Sequence, residues 1–353
     1  MIPNKVLWPI YRDYMIGWTL AFMFLSIVRG SGTTEMGSVQ FELITSLGVS
    51  LITGPVFGII SAFGLIRMEY HILRNKPILQ ILAMRIAYSV LFLTILIIAF
   101  YFLTRILFAI DISLMEFAFE PGSFAIYFYI LVVDFAMTVL RQVNLLIGGS
   151  NLRKLLMGKF FNPREEERIF MFLDLKSSTQ IAEQLGHIQY SRLIQDCFID
   201  LGVVNDNEAE IYQYVGDEVI LTWESEVGLS GQNCLRAFFN FKARLKKRQS
   251  RYLEKYQLIP VFKAGINIGQ VTVAEIGKYK KEIAFHGDTM NTTARIQAKC
   301  NEFKKELLVS ETLKDRLDPT GFGFEQLGDI QLRGKQQEVC IYAVSLQSNE
   351  SIT

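Results

Sequence analysis

The sequence predicts two unlike parts in one chain: an all-α domain of four transmembrane helices over residues 1–142 and an α+β domain over residues 168–348, joined by a juxtamembrane linker at 143–167. Three observations carry this division. Half of the 353 residues are hydrophobic and only 20% are charged, against roughly 25% charged in average soluble chains, and the mean hydropathy is +0.26. The long apolar stretches all precede residue 142, while beyond residue 168 shorter strand and helix patterns alternate. The cysteines Cys197, Cys234, Cys300 and Cys340 all lie in the second part, with no Cys-x-x-Cys pair and only three histidines in the chain. A zinc site or a disulfide framework is excluded on that spacing, and reduced thiols in a cytosolic domain are expected. The 36 Lys and Arg against 35 Asp and Glu exclude a strongly basic nucleic-acid binder and a disordered chain.

The four expected spans are residues 10–28, 43–66, 78–103 and 124–140, each within the length range that crosses a bilayer core of about 30 Å. Lys5 precedes the first span and Arg12 stands at its start, Arg67, His71, Arg74 and Lys76 follow the second, and Arg141, Arg153, Lys154 and Lys159 follow the fourth. The other two loops carry Arg29 and Arg105 beside five acidic residues. The positive-inside rule therefore places both termini and the second domain in the cytoplasm, on a multi-pass anchor in the cell (inner) membrane. Arg85 and Asp134 fall inside the third and fourth spans, both about 10 Å from the cytoplasmic boundary at ~1.5 Å rise per residue. An unpaired charge there costs several kcal/mol, so the two are expected to pair. Ser50, Gly54, Gly58 and Ala62 recur every four residues in the second span and read as a helix-packing seam, within the bundle or between protomers.

In the linker, Gly148-Gly149-Ser150 interrupts the fourth span, a short amphipathic stretch covers 152–161, and the charged run 164–168 reads as solvated. The α+β domain then opens with a buried strand at 168–175. A helix follows from Ser178 to about residue 204, with Ile181, Leu185, Leu193, Ile194, Cys197 and Leu201 on its apolar side. Strands at 209–215 and 219–223 join through the tight turn Gly216-Asp217-Glu218. A second helix spans about 229–253, its basic run Lys242 to Arg251 expected to be a solvated face. Strands at 261–268 and 271–276 are expected to pair around Gly269, a helix begins at Asp288, and three strand-like segments close the chain. The order β-α-β-β-α-β is ferredoxin-like.

Three short segments carry chemistry. Asp174 leaves the end of the first buried strand and is followed by Ser177, Ser178 and Thr179 at a helix N-terminus. A carboxylate there suits a cation, while the helix N-terminus attracts anionic oxygens. Asp217 sits at the tip of the next hairpin. If the two strands are neighbours, both carboxylates meet at one sheet edge and form an oxygen-ligand site for Mg²⁺ or Mn²⁺, two ions per site, beside a phosphate. The third segment is His286-Gly287-Asp288-Thr289-Met290-Asn291-Thr292-Thr293-Ala294-Arg295. Asn291 and Arg295 are four apart on one helix face, an amide and a guanidinium suited to a sugar and to charge developing on a phosphate.

With Gly265-Ile266-Asn267-Ile268-Gly269-Gln270-Val271, these segments resemble the class III nucleotide cyclases, the adenylyl and guanylyl cyclases, in order and spacing over about residues 168–346. The resemblance implies a ferredoxin-like class III cyclase domain that pairs head to tail, with active sites between protomers. It implies that Asp174 and Asp217 of one protomer hold two divalent metals, and that Asn291 and Arg295 of the other orient the ribose and stabilise the transition state. Ser177, Ser178 and Thr179 would lie against substrate, and Arg333 or Lys335 would be the triphosphate-binding basic position. The implied reaction turns a nucleoside triphosphate into its 3′,5′-cyclic nucleotide and pyrophosphate. Because one chain carries both residue sets, a homodimer would hold two complete sites.

Base selection departs from the family pattern: Gln213 stands where adenylyl cyclases usually have Lys, and Ala284 where they have Asp or Thr. Gln can donate and accept; Ala does neither. ATP is the favoured substrate, with GTP or dual specificity the alternative and a catalytically silent nucleotide-binding module the reading from another class.

Overall fold

The computed structural model describes residues 4–30, 43–71, 77–108, 113–148, 154, 157–331 and 338–347. The chain divides into two compact units, Met1–Ile147 and Gly148–Thr353.

The first unit is helical, with four long helices: α1 (Asn4–Gly30), α2 (Leu43–His71), α3 (Ile78–Phe108) and α4 (Pro121–Ile147), and a short turn Leu114–Ala118 before α4. Within the described residues, three stretches are long and apolar enough to cross a membrane: Leu43–Glu69, Ile78–Ile98 and Ser123–Leu146. The first expected span is a helix too, but it is the least apolar of the four, with Arg12, Asp13, Tyr14, Trp18 and Thr19 along it, and falls outside that set. The small-residue stripe of α2 is a seam within this unit. A Cβ on Gly54 would stand 2.4 Å from Thr19 Cα and one on Gly58 2.5 Å from Met15 Cα, so the absence of side chains lets α1 and α2 touch backbone to backbone.

Arg85 and Asp134 pair, as their burial requires. Arg85 Nε donates to Asp134 Oδ2 at 2.8 Å and an Nη donates to Oδ1 at 2.6 Å. Ser61 and Ser89 hydroxyls donate to the same carboxylate, so α2, α3 and α4 converge on one buried polar knot. Elsewhere the helices turn apolar side chains outward, among them Ile44, Leu79 and Phe128.

The second unit is an α+β domain around one eight-stranded sheet. In chain order its main elements are β1 (Arg164–Leu175), α5 (Ser178–Leu201), β2 (Glu210–Val215), β3 (Glu218–Glu224), α6 (Asn233–Lys247), α7 (Gln249–Tyr256), β4 (Phe262–Ile276), β5 (Glu282–His286), α8 (Asp288–Ala298), β6 (Leu307–Ser310), β7 (Phe322–Gln331) and β8 (Glu338–Leu346). The strand order is β2-β3-β1-β4-β6-β8-β7, with β5 on β4. Its first four strands form the ferredoxin-like core, β1 lying antiparallel between β3 and β4. Alternation along β1 serves both faces. Ile169, Met171, Leu173 and Leu175 join the core with Leu193, Cys197 and Leu201 of α5 and Phe238 and Phe241 of α6. Phe170 and Phe172 face the other way, towards Phe285 of β5 and Met290 and Ala294 of α8. All four cysteines are buried and unbridged.

Four expectations change. The charged run 164–168 is not solvated linker: it opens β1, paired to β4 from Arg164↔Val273 onward. Arg168 is 1% exposed and held by Glu166 at 3.1 Å, by Thr222 and by Glu210, so the buried charge in this run is accommodated because it finds partners. Residues 262–276 form one strand instead of a hairpin around Gly269, and its second half pairs with β5, from Thr272↔His286 to Ile276↔Glu282. The expected helix 229–253 breaks at Arg248 into α6 and α7. Its basic run is exposed at Lys242, Lys246, Lys247 and Arg251 as expected, but part of it also makes ion pairs: Arg244 and Arg248 close on the buried Asp200, while Arg251 and the neighbouring Lys255 close on Asp196, tying α5 to α6 and α7. Of the linker, residues 149–153 and 155–156 lie outside the described residues.

Candidate active site

Two neighbouring strands bring the aspartates together. Asp174, next to last in β1, stands opposite Glu218, the first residue of β3, and Asp217 occupies the β2–β3 turn immediately before it. Gly216 takes a left-handed φ of +64 there, which glycine adopts without a Cβ penalty and which allows so tight a turn. On the other side Asp174 is in register with Lys263 of β4, whose Nζ lies 3.1 Å from Asp174 Oδ2. Gln297 Nε2 of α8 donates to the same oxygen at 3.1 Å.

The electrostatics of this edge favour an added cation. Burial raises the Asp174 carboxyl above its usual range; Lys263 opposes the rise, and the facing Asp217 adds to it. Burial, then Asp174 and Asp217, push Glu218 up to about 7. Three carboxyl groups thus crowd one lysine. Among the described residues no group of three or more His, Cys, Asp or Glu could hold a metal, so the site is not a closed protein cage. It fits Mg²⁺ or Mn²⁺ in the mode such ions commonly use, with one or two carboxylates and the remaining ligands from substrate phosphates and water.

Beside this pair the chain enters α5. Ser177 adopts a left-handed conformation, φ 59, and its side chain caps nothing. The first N–H groups of α5, at Ser178 and Thr179, therefore open next to the carboxylates without a side-chain cap, a place for anionic oxygens. Asp174 is not the cap of this helix. Tyr190, one turn past the break in α5 at Gly186, feels both aspartates: burial raises its phenol, and Asp217 and Asp174 raise it further.

Asn291 and Arg295 lie on α8, Asn291 exposed and Arg295 half-buried, while Thr292, Thr293, Ile296 and Gln297 form the buried side. The contact of this helix with Asp174 is made by Gln297, from the face away from Asn291 and Arg295. Gln213 is exposed on β2 beside a register shift, and Ala284 is buried on β5; their neighbours Tyr212 and Phe285 pack ring to ring at 5.0 Å. Arg333 and Lys335 lie outside the described residues. Sequence reasoning missed Lys263, Gln297 and Tyr190. Of these only Lys263 left a signal, as the one charged residue in the apolar run 261–268.

A sheet edge with paired carboxylates, an uncapped helix start and a second helix carrying an outward amide and guanidinium defines a nucleotide-handling α+β domain. The family described as adenylate and guanylate cyclase catalytic domain matches residues 162–345, and the chain belongs to that family. It is similar to Adenylate cyclase 2 of Rhizobium meliloti (strain 1021), 30% identical over 222 residues, covering 62% of this chain and 61% of the relative. It is also similar to Atrial natriuretic peptide receptor 2 of Homo sapiens, 25% identical over 181 residues, 46% of this chain and 16% of the receptor. The chain thus spans about three-fifths of the first relative and a sixth of the second. A solved bacterial light-regulated adenylyl cyclase superposes with TM-score 0.55 at 18% identity, over 64% of this chain and 67% of that one, which shows the shared fold.

Proposed function

We propose that the protein is a membrane-bound adenylyl cyclase that works as a homodimer and converts ATP to 3′,5′-cyclic AMP and pyrophosphate. The observation that carries this is the meeting of Asp174 and Asp217 at one sheet edge beside the uncapped start of α5. In this reading Asp174 and Asp217 hold the divalent ions, and the ions when bound supply charge neutralisation at the phosphates and a more acidic ribose 3′-hydroxyl. The N–H groups of Ser178 and Thr179 receive triphosphate oxygens, and Lys263 supplies a cation at the same edge. Asn291 orients the ribose and Arg295 answers the charge that develops on the α-phosphate, both from the second protomer. Their outward placement on α8, turned from the chain's own Asp174, supports a role in a neighbouring site. Arg333 and Lys335 are assigned to the triphosphate.

ATP is favoured through the similarity to Adenylate cyclase 2. GTP is the competing substrate, because Gln213 can pair with either base and the buried Ala284 adds no hydrogen bond. The helical unit is read as a multi-pass inner-membrane anchor with the catalytic unit in the cytoplasm. Three apolar helices with outward-facing aliphatic and aromatic side chains and an internally paired charge support it.

Detergent-solubilised protein incubated with ATP or GTP and Mn²⁺ or Mg²⁺ is expected to yield cyclic AMP in excess over cyclic GMP. Asp174→Ala and Arg295→Ala should each lose activity by at least about 100-fold. Co-expressed, they should recover about a quarter of the wild-type rate, since random pairing makes half the dimers mixed and each mixed dimer has one intact site. Absence of any cyclic product would leave a nucleotide-binding module instead. Absence of recovery would place Asp174 and Arg295 in one protomer's site.

A further inference from the structure

We propose that Gln297 is a positioning residue for Asp174: its side-chain amide holds one carboxylate oxygen so that the other is presented to a divalent cation. The proposal rests on the reading of Asp174 as a cation ligand. Gln297 Nε2 and Lys263 Nζ both bond Asp174 Oδ2, each at 3.1 Å, which leaves Oδ1 as the oxygen without these two donors. The two donors are not equivalent. Lys263 carries a full charge and repels an arriving cation, whereas the amide is neutral and keeps its bond when a cation binds to the other oxygen.

The placement of Gln297 is built into the packing. It is 6% exposed and sits where α8 touches β4. A Cβ on Gly265 would stand 2.4 Å from the Gln297 backbone nitrogen and 2.7 Å from its Cα. Glycine at 265 therefore sets the helix directly on the strand, and only at that depth does a glutamine side chain span from α8 to the end of β1. Thr293, one turn earlier on the buried face, bonds the Thr289 carbonyl at 2.7 Å, within the helix. The reach to Asp174 is made by Gln297.

Outer partners of a ligating carboxylate typically carry 10–100-fold in metal affinity. The test uses the full chain in detergent with Mn²⁺ and 3′-deoxy-ATP, which lacks the attacking hydroxyl, and reads bound Mn²⁺ by electron paramagnetic resonance. Gln297→Met keeps the length of the side chain, removes the donor and adds no oxygen ligand. It should weaken Mn²⁺ binding about 10-fold while the melting temperature stays within a few degrees of wild type. In turnover assays the Mn²⁺ requirement should rise and kcat at saturating Mn²⁺ should largely recover. Gln297→Asn, which withdraws the amide by one methylene, should weaken Mn²⁺ binding in the same direction and stands in if the Met variant does not fold. Wild-type Mn²⁺ affinity in a folded Gln297 variant, with binding lost in Asp174→Ala, overturns the positioning role and leaves the cation site standing. Wild-type affinity in Asp174→Ala overturns both.

Discussion

Arg85 and Asp134 are charged groups in helices otherwise built of apolar residues, and each is tolerable because the other is there. Their pairing is bidentate and supplemented by Ser61 and Ser89, so removing one partner leaves a buried ion with donors or acceptors unmet. Arg85→Met or Asp134→Leu alone should destabilise the helical unit by about 3–5 kcal/mol. The double substitution should be better folded than the worse single, because it removes the charge altogether. Thermal denaturation in detergent measures this, and a double variant no better than the worse single would refute the coupling. At the same scale Asp174 shows why a sequence position and a role differ. Its place at a strand end was legible, but the two donors that hold it, Lys263 and Gln297, are 89 and 123 residues away along the chain and become its neighbours only through β4 and α8.

At the scale of elements, α8 on β4 is the junction that matters. The motif from Gly265 to Gly269 supplies two close approaches, Gly265 under Gln297 and Gly269 under the Thr289 hydroxyl, which a Cβ would meet at 2.6 Å. The first collision would be with backbone and cannot be relieved by a rotamer change. Gly265→Ala should therefore cost about 1–3 kcal/mol or more and lift α8, lowering catalytic activity more than Gly269→Ala. Chemical denaturation together with the cyclase assay separates the two effects, and a Gly265→Ala protein with wild-type stability would contradict the packing. The same strand explains a wrong expectation. Gly269 reads as a turn by composition, yet β4 runs straight through it, because glycine there makes room for a helix.

For the whole molecule, the α+β unit is held by carboxylates that are charged in the folded state. Arg316 holds Glu167 below its usual range. Burial raises Asp196, but the bonds from Lys255 and Tyr256 outweigh it and the net shift is downward. Hydrogen bonds from Thr320 lower Asp318. A depressed folded-state pKa means that the unfolded chain binds protons first as pH falls. The stabilisation is full above the ordinary carboxylate range near 4 and is lost as pH drops through the lower folded values. Stability should thus be flat between pH 6 and 7 as far as these groups act, and fall below about pH 4. Asp196→Asn should reduce that acid sensitivity while lowering stability at neutral pH, which melting curves across pH would show.

How much could be read in advance follows from the range of the forces involved. Apolar runs, strand alternation, the helix starting after Ser177 and the Asn291/Arg295 spacing are local patterns, so residue order determined them, along with the resemblance that named the aspartate pair. The expected Arg85–Asp134 pairing was also legible, because a low-dielectric surrounding leaves a charge few choices. What residue order left open depended on which distant segments meet. Only the tertiary structure decided that residues 164–168 are strand, since they pair with β4 and the buried Arg168 finds Thr222 and Glu210 on other strands. It alone showed that part of the basic run of α6 and α7 is bound to Asp196 and Asp200, and that the Ser50 to Ala62 stripe faces α1. It alone placed Lys263 and Gln297 on Asp174. A partner's identity is a property of folding topology, and no local pattern encodes a neighbour more than a hundred residues away.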